Sequence, residues 1–330
     1  MSTTATTTQR DRRIAWSKLT PALGLVVVIL AALVVAPEFF NPANLSNLSR
    51  QAAILALVAA GQTVVLLVRG VDLSVGATIT LTMVVVARVS EGSDGRLLFA
   101  VLIAILVGVA IGLVNAFLVV ARRVPPFVAT IATTVLILGV QTAWTQGVPG
   151  GSVPPALATV GTARWFGLPV PTLIAAAALI LVAIALTKSV WGKWMYSTGG
   201  NPEAARLAGV PTARVTVSAY VVCSLLAVLA ALLLGGYIGY VDGYLGVGYD
   251  LDSIAAAVIG GTSFAGGIGG IGRSTIGALI IASALNMIVL SGAQEWLQLV
   301  VKGAIIAGAV AIQTTSWRRK WKKRPVPMRV

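Results

Sequence analysis

What most constrains this chain is a close succession of apolar runs, most of them long enough to cross a lipid bilayer and nearly free of charge. They lie at 19–36, 51–68, 74–90, 97–120, 126–145, 171–187, 214–236, 251–265, 274–291 and 296–314. A spanning helix needs about 20 mostly apolar residues. In hydrocarbon its backbone N–H and C=O groups must be satisfied within the segment, which leaves helices and closed barrels as the only solutions. Runs of this length predict an all-α fold, a polytopic transmembrane helical bundle of about ten spans. Composition agrees, with 57% hydrophobic and 10% charged residues where a soluble domain carries about 25% charged. The 330 residues leave no room for a separate soluble catalytic domain.

Two runs need separate treatment. The first, 19–36, is followed by Pro37 and is long for a cleaved signal, so it reads as a span. The run at 251–265 is short and enters Gly266, Gly267, Gly269 and Gly270. It predicts one short or broken helix near 251–270, and broken backbone at membrane depth survives only where protein or a water-filled cavity surrounds it. The chain thus divides into a basic tail at 1–18, one transmembrane domain at 19–314 and a second basic tail at 315–330.

The net charge of +14 orients the bundle. Basic residues gather in both tails and in the segments 69–73, 121–125, 188–213 and 266–273. Of 24 lysines and arginines, only Arg50, Arg88, Arg96, Arg164 and Lys302 fall near the opposite ends of the spans. Lys and Arg stay on the cytoplasmic side of a membrane, so both termini are expected in the cytoplasm, with the protein in the plasma (inner) membrane. The cluster from Arg318 to Arg324 should also attract anionic lipid. No recognition module accompanies the charge, and no nucleic-acid partner is expected.

Several chemistries drop out. There is no histidine, and the single cysteine, Cys223, sits in an apolar run where it reads as a small core residue. The common metal ligand, the usual general base and Ser–His or Cys–His machinery are therefore missing. Gly192-Lys193 is followed by Trp194 and lacks the upstream glycine of a phosphate loop. Any ATP energy must come from another polypeptide, and the chain itself is expected to carry no cofactor or metal.

Four stretches carry the remaining information. In Arg69-Gly70-Val71-Asp72-Leu73-Ser74-Val75-Gly76, Asp72 either caps the following helix at a turn or pairs with Arg69 and lines a transport cavity, where charge within a membrane is usually functional. Arg122-Arg123-Val124-Pro125-Pro126 marks an inner boundary, its prolines opening the next helix. In Gly199-Gly200-Asn201-Pro202-Glu203-Ala204-Ala205-Arg206-Leu207-Ala208-Gly209-Val210, Asn201 can cap a short helix with Pro202 at its first position and Gly209 closing it. Two turns of helix are marginal alone, so this one either rests on its own bundle or enters a partner's groove. Finally, Tyr249-Asp250-Leu251-Asp252-Ser253 through Gly260-Gly261-Thr262-Ser263 places two acids at a helix start, where the dipole favours them, and ends in flexible backbone suited to packing or gating.

In this order, these stretches resemble the permeases of bacterial ribose-type monosaccharide ABC importers, part of a broader family with branched-chain amino acid permeases; the similarity runs from about residue 38 to 313. The resemblance implies a membrane subunit importing a ribose-like monosaccharide and paired with a second permease copy. It also implies an ABC ATPase that binds ATP and Mg, and a periplasmic or lipid-anchored sugar-binding protein. It places residues 199–210, within the cytoplasmic segment 188–213, at the coupling loop, with Gly200, Asn201, Glu203, Ala204, Arg206, Leu207 and Gly209 facing the ATPase. Arg69, Asp72, Ser74, Asp252, Thr262 and Ser263 are the candidates for the translocation pathway or gate. Two features depart from the family pattern: Arg69 stands where a small residue is usual, and 264–274 reads Phe-Ala-Gly-Gly-Ile-Gly-Gly-Ile-Gly-Arg-Ser where relatives carry a basic residue after the paired glycines. An importer for a branched-chain amino acid or nucleoside is an alternative of the same design. An ion-coupled transporter is another, and would need a titratable intramembrane residue, for which Asp72 and Asp252 are the candidates.

Overall fold

The computed structural model describes residues 21–308, apart from 22, 35, 149, 295, 305 and 306. The two basic tails and the start of the first apolar run lie outside the described residues. Among the described residues each of the ten apolar runs overlaps one helix. These are α1 (Leu23–Val34), α2 (Pro42–Leu67), α3 (Val75–Ser90), α4 (Asp94–Ala116), α5 (Pro126–Thr145), then α7 (Val170–Lys188), α10 (Thr212–Ile238), α11 (Tyr249–Ile259), α12 (Ile271–Leu290) and α13 (296–304). Of these, α2, α4, α5, α7, α10 and α12 are long and apolar enough to cross a membrane. The connecting segments add α6 (Pro155–Thr162), α8 (Val190–Gly200) and α9 (Pro202–Leu207).

The departures from the expected pattern have local causes. Helix α2 begins well before residue 51, because Asn41 accepts the Ala43 N–H and Pro42 takes the first position, extending the helix through a polar turn that hydropathy overlooks. The segment 146–170 is not simply loop: besides α6 it holds a hairpin of β1 (Arg164–Trp165) and β2 (Leu168–Pro169), the one named sheet among the described residues of an otherwise helical fold. The segment 188–213 is helical over most of its length, since Ser189 caps α8 by accepting the Gly192 N–H.

Burial ranks the helices. Over its most apolar stretch α2 is 94% buried, whereas the corresponding stretches of α4, α5 and α7 are only 22–28% buried. Helix α2 is thus the axis of the bundle, wrapped by α10, α11, α12 and α7, and the bare apolar faces of α4, α5 and α7 suit contact with lipid. Small residues permit the tight wrapping: a Cβ on Gly61 would lie 3.0 Å from the Cα of buried Cys223 on α10.

Two interruptions matter most. The chain leaves helical geometry between Leu67 and Val75, and again between Ile259 and Ile271, as expected for the glycine-rich stretch. Helix α11, with 11 residues, is about 16 Å long, roughly half of a bilayer core of about 30 Å.

Candidate functional site

The two interruptions meet each other, and they meet the end of α8. Arg69 adopts a left-handed conformation (φ 66°), which turns its guanidinium onto the last carbonyls of α8. Its Nε donates to Gly199 O at 2.7 Å and its Nη2 to Gly200 O at 2.8 Å. A cation there is favourable twice over, since the carbonyls at a helix C-terminus lack intrahelical donors and carry the negative end of the dipole. From the second interruption, Gly267 N–H donates to Leu67 O at 2.9 Å and Gly269 O accepts the Tyr196 hydroxyl of α8 at 3.1 Å. Three backbone segments approach so closely that only glycine fits. A Cβ on Gly199 would stand 1.7 Å from Leu67 O and 2.4 Å from Gly267 N, both main-chain atoms with no side chain to move aside. Deeper in, Thr63 of α2 and Ser274 of α12 share a hydrogen bond of 2.6 Å, and Thr262 Oγ1 lies 3.3 Å from the same Ser274 oxygen. Ser263 shapes the turn: its N–H donates to Ile268 O, and its hydroxyl accepts the Ala265 N–H.

Directly after Gly200 comes α9. Asn201 Oδ1 accepts the N–H groups of Glu203 (3.2 Å) and Ala204 (3.1 Å), Pro202 opens the helix, and Gly209 (φ 80°) closes it. Ala205 turns inward and is buried, while Glu203 and Arg206 face out as an ion pair of 3.5 Å. Leu207 is 82% exposed. The helix therefore rests on the bundle by one small side chain and presents a polar pair beside a large apolar one.

The alternatives at Asp72 separate. Among the described residues Asp72 forms no ion pair with Arg69, whose guanidinium points to α8. Asp72 is fully buried, and its Oδ1 accepts both the N–H (2.8 Å) and hydroxyl (2.6 Å) of Ser74, closing the turn into α3. Asn115 of α4 donates to both carboxylate oxygens (3.3 and 3.4 Å) and to Ser74 Oγ (2.8 Å). The Gln62 amide, oriented as its partners require, donates to Asp72 O (3.1 Å) and accepts the Asp72 N–H (3.2 Å). Asp72 and Ser74 hold the interruption in shape. Asp252 lies at the other end of α11, where its Oδ2 accepts from Lys302 Nζ of α13 at 2.8 Å.

Sequence reasoning singled out most of these positions one at a time and missed several partners. Asn115, an isolated amide within a long apolar run, was visible as a polar intramembrane residue. Gln62 lies within the apolar run 51–68, where nothing local gives it a role. Nothing in the sequence tied Tyr196 to Gly269 or Lys302 to Asp252, because those pairs are separated by 73 and 50 positions.

Comparison with known proteins agrees with this architecture. The ribose import permease protein RbsC of Bacillus subtilis is 37% identical over 298 residues, covering 89% of this chain and 92% of that protein. RbsC of Escherichia coli K12 is 35% identical over 88% of the chain and 91% of its own length. The galactose/methyl galactoside import permease protein MglC of Haemophilus influenzae is 32% identical over 91% and 95%, respectively. No solved structure matches. The family described as branched-chain amino acid transport system / permease component matches residues 44–310, and the chain, a multi-pass helical membrane protein, belongs to it.

Proposed function

We propose that this chain is the membrane-spanning subunit of an ATP-driven importer for a monosaccharide of the ribose or galactose kind, and that α9 receives the stroke of a partner ATPase. The relatives' names support the substrate class. One geometric observation supports the mechanical role: the guanidinium of Arg69 joins the α8–α9 turn to the interruption after α2, and that interruption is hydrogen-bonded to the one after α11. A displacement of α9 is therefore delivered to two breaks in the bundle at once. Breaks are where buried helices can pivot with little loss of internal hydrogen bonding, since their backbone is already held by non-helical partners.

The remainder of the proposal follows from that role. The permease works as a dimer of ten-span subunits with both termini in the cytoplasm, where α9 meets an ABC ATPase that binds ATP and Mg. A periplasmic or lipid-anchored binding protein delivers the sugar from outside. An ion-coupled mechanism is disfavoured by the two candidate acids, because Asp72 is satisfied within a turn and Asp252 is neutralised by Lys302. The test is reconstitution in liposomes with the ATPase and the binding protein. ATP-dependent uptake of labelled monosaccharide is expected. Uptake driven by a proton or sodium gradient without the ATPase overturns the reading, and ATP-dependent uptake of a branched-chain amino acid alone replaces the substrate class.

A further inference from the structure

About halfway along α2 from the coupling junction lies a cavity of about 340 Å³ between α2, α10, α11 and α12. This volume is at the small end of the range for small-molecule sites, about 300–1,000 Å³. Ile54, on its wall, is 13 residues from Leu67 at the junction, about 20 Å along a helix. Most of the lining is aliphatic, and the polar exceptions converge. Gln51 and Tyr249 present an amide and a hydroxyl with no hydrogen-bond partner among the described residues. Tyr237 is fixed from behind, its hydroxyl 3.4 Å from Asn47 Oδ1 and its ring stacked by the Arg50 guanidinium at 4.8 Å. Asp252 also lines the cavity; Lys302 takes its Oδ2, while its Oδ1 is buried without a partner among the described residues.

We propose that this cavity is a stopping site for a neutral polyol inside the permease, recognised by Gln51, Tyr249 and Asp252 and packed against the Tyr237 ring. The assignment rests on the importer reading above and gives it a substrate-contacting site within the membrane subunit itself. The chemistry is that of a sugar. Aliphatic and aromatic walls suit the C–H faces of a pyranose or furanose ring, while an amide, a hydroxyl and a carboxylate offer both donors and acceptors to its hydroxyls. Pairing of Asp252 with Lys302 leaves no net charge in the lining, so the cavity suits a neutral ligand over an ionic one. The buried Asp252 Oδ1, left without a partner among the described residues, is costly, and a hydroxyl-rich ligand relieves that cost. The position suits the work as well. Asp252 opens α11 and the glycine-rich interruption closes it, so this single short helix runs from the cavity to the junction that α9 moves. A stroke at α9 reaches the ligand through α11.

The experiment uses the full complex in proteoliposomes, with D-ribose or D-galactose, whichever it takes up, and single-deoxy analogues of that sugar at saturating binding protein. Tyr249→Phe and Gln51→Leu each remove one polar group and keep the wall's shape; Leu285→Trp fills the space. The wild type is expected to take up one deoxy analogue about tenfold more slowly than the parent, equivalent to ~1.4 kcal/mol. Tyr249→Phe or Gln51→Leu should slow the parent sugar by a similar factor and erase the discrimination. Leu285→Trp should block uptake while leaving thermal stability and co-purification of the ATPase unchanged. If all three variants transport at the wild-type rate with discrimination intact, the cavity is idle or filled by lipid and the assignment is overturned alone. If the wild-type complex takes up no monosaccharide, the importer reading falls and the assignment with it.

Discussion

Arg69→Gln isolates the link between α9 and the bundle, because the substitution keeps a polar side chain while removing the fork that grips α8. The magnitude follows from two bonds. The Nε bond to Gly199 O, at 2.7 Å, is partly buried, and a charge-assisted bond of this kind contributes about 1.5 kcal/mol at the low end of its range. The Nη2 bond to Gly200 O, at 2.8 Å, is exposed and contributes about 0.5 kcal/mol, in keeping with screened surface interactions. Glutamine inherits the left-handed backbone of Arg69, so no relief of strain offsets the loss. The docked arrangement should thus be weakened by about 2 kcal/mol, roughly 30-fold. Arg69→Lys keeps the charge but offers one donor nitrogen in place of the fork, and should lose about half as much in free energy. In proteoliposomes the expected signature is a fall in sugar moved per ATP hydrolysed, large for glutamine and smaller for lysine, with the ATPase still co-purifying. A glutamine variant with the wild-type ratio would refute the mechanical role of the junction. So would equal losses in both variants accompanied by a drop in thermal stability, since that pattern reports damage to folding.

Three further outcomes are expected. Because Asp72 and Arg69 do not pair, Asp72→Asn combined with Arg69→Gln should show the sum of the single losses in thermal stability, within about 0.5 kcal/mol; rescue of one by the other would indicate direct coupling. Replacing Glu203 and Leu207 with Arg and Asp should abolish substrate-stimulated ATP hydrolysis without unfolding the permease, since Leu207 protrudes and neither side chain is buried in the bundle; wild-type hydrolysis and co-purification would reduce α9 to a loop helix. Lys302→Met leaves Asp252 as an uncompensated buried charge and should destabilise by about 3–5 kcal/mol, with much of the loss recovered by adding Asp252→Asn; a thermal melt of both variants decides it.

The bundle was legible in the sequence because bilayer physics acts on single segments. A run such as 97–120 must be helical in hydrocarbon whatever its neighbours are. The caps at Asn201 and Pro202 are equally local, since they depend on residues within one turn, and both appear in the structure as expected. The interruption after α11 was legible for a similar reason, the glycines at 266–270 being poor helix formers together.

What the sequence could not decide is which segments touch. Asp72 and Arg69, three positions apart, looked like a pair. The left-handed turn at Arg69 instead sends its side chain to a carbonyl 130 positions away, while Asp72 is claimed by Ser74 and by Asn115 from a different helix. Likewise Asp252 and Lys302, read separately as a helix-start acid and an outer-end charge, become one ion pair only when α13 folds back over α11. Hydropathy and capping are properties of one segment and its solvent. The junction and the cavity are properties of distances between segments, set by side-chain packing around α2, and they exist only once the helices have packed.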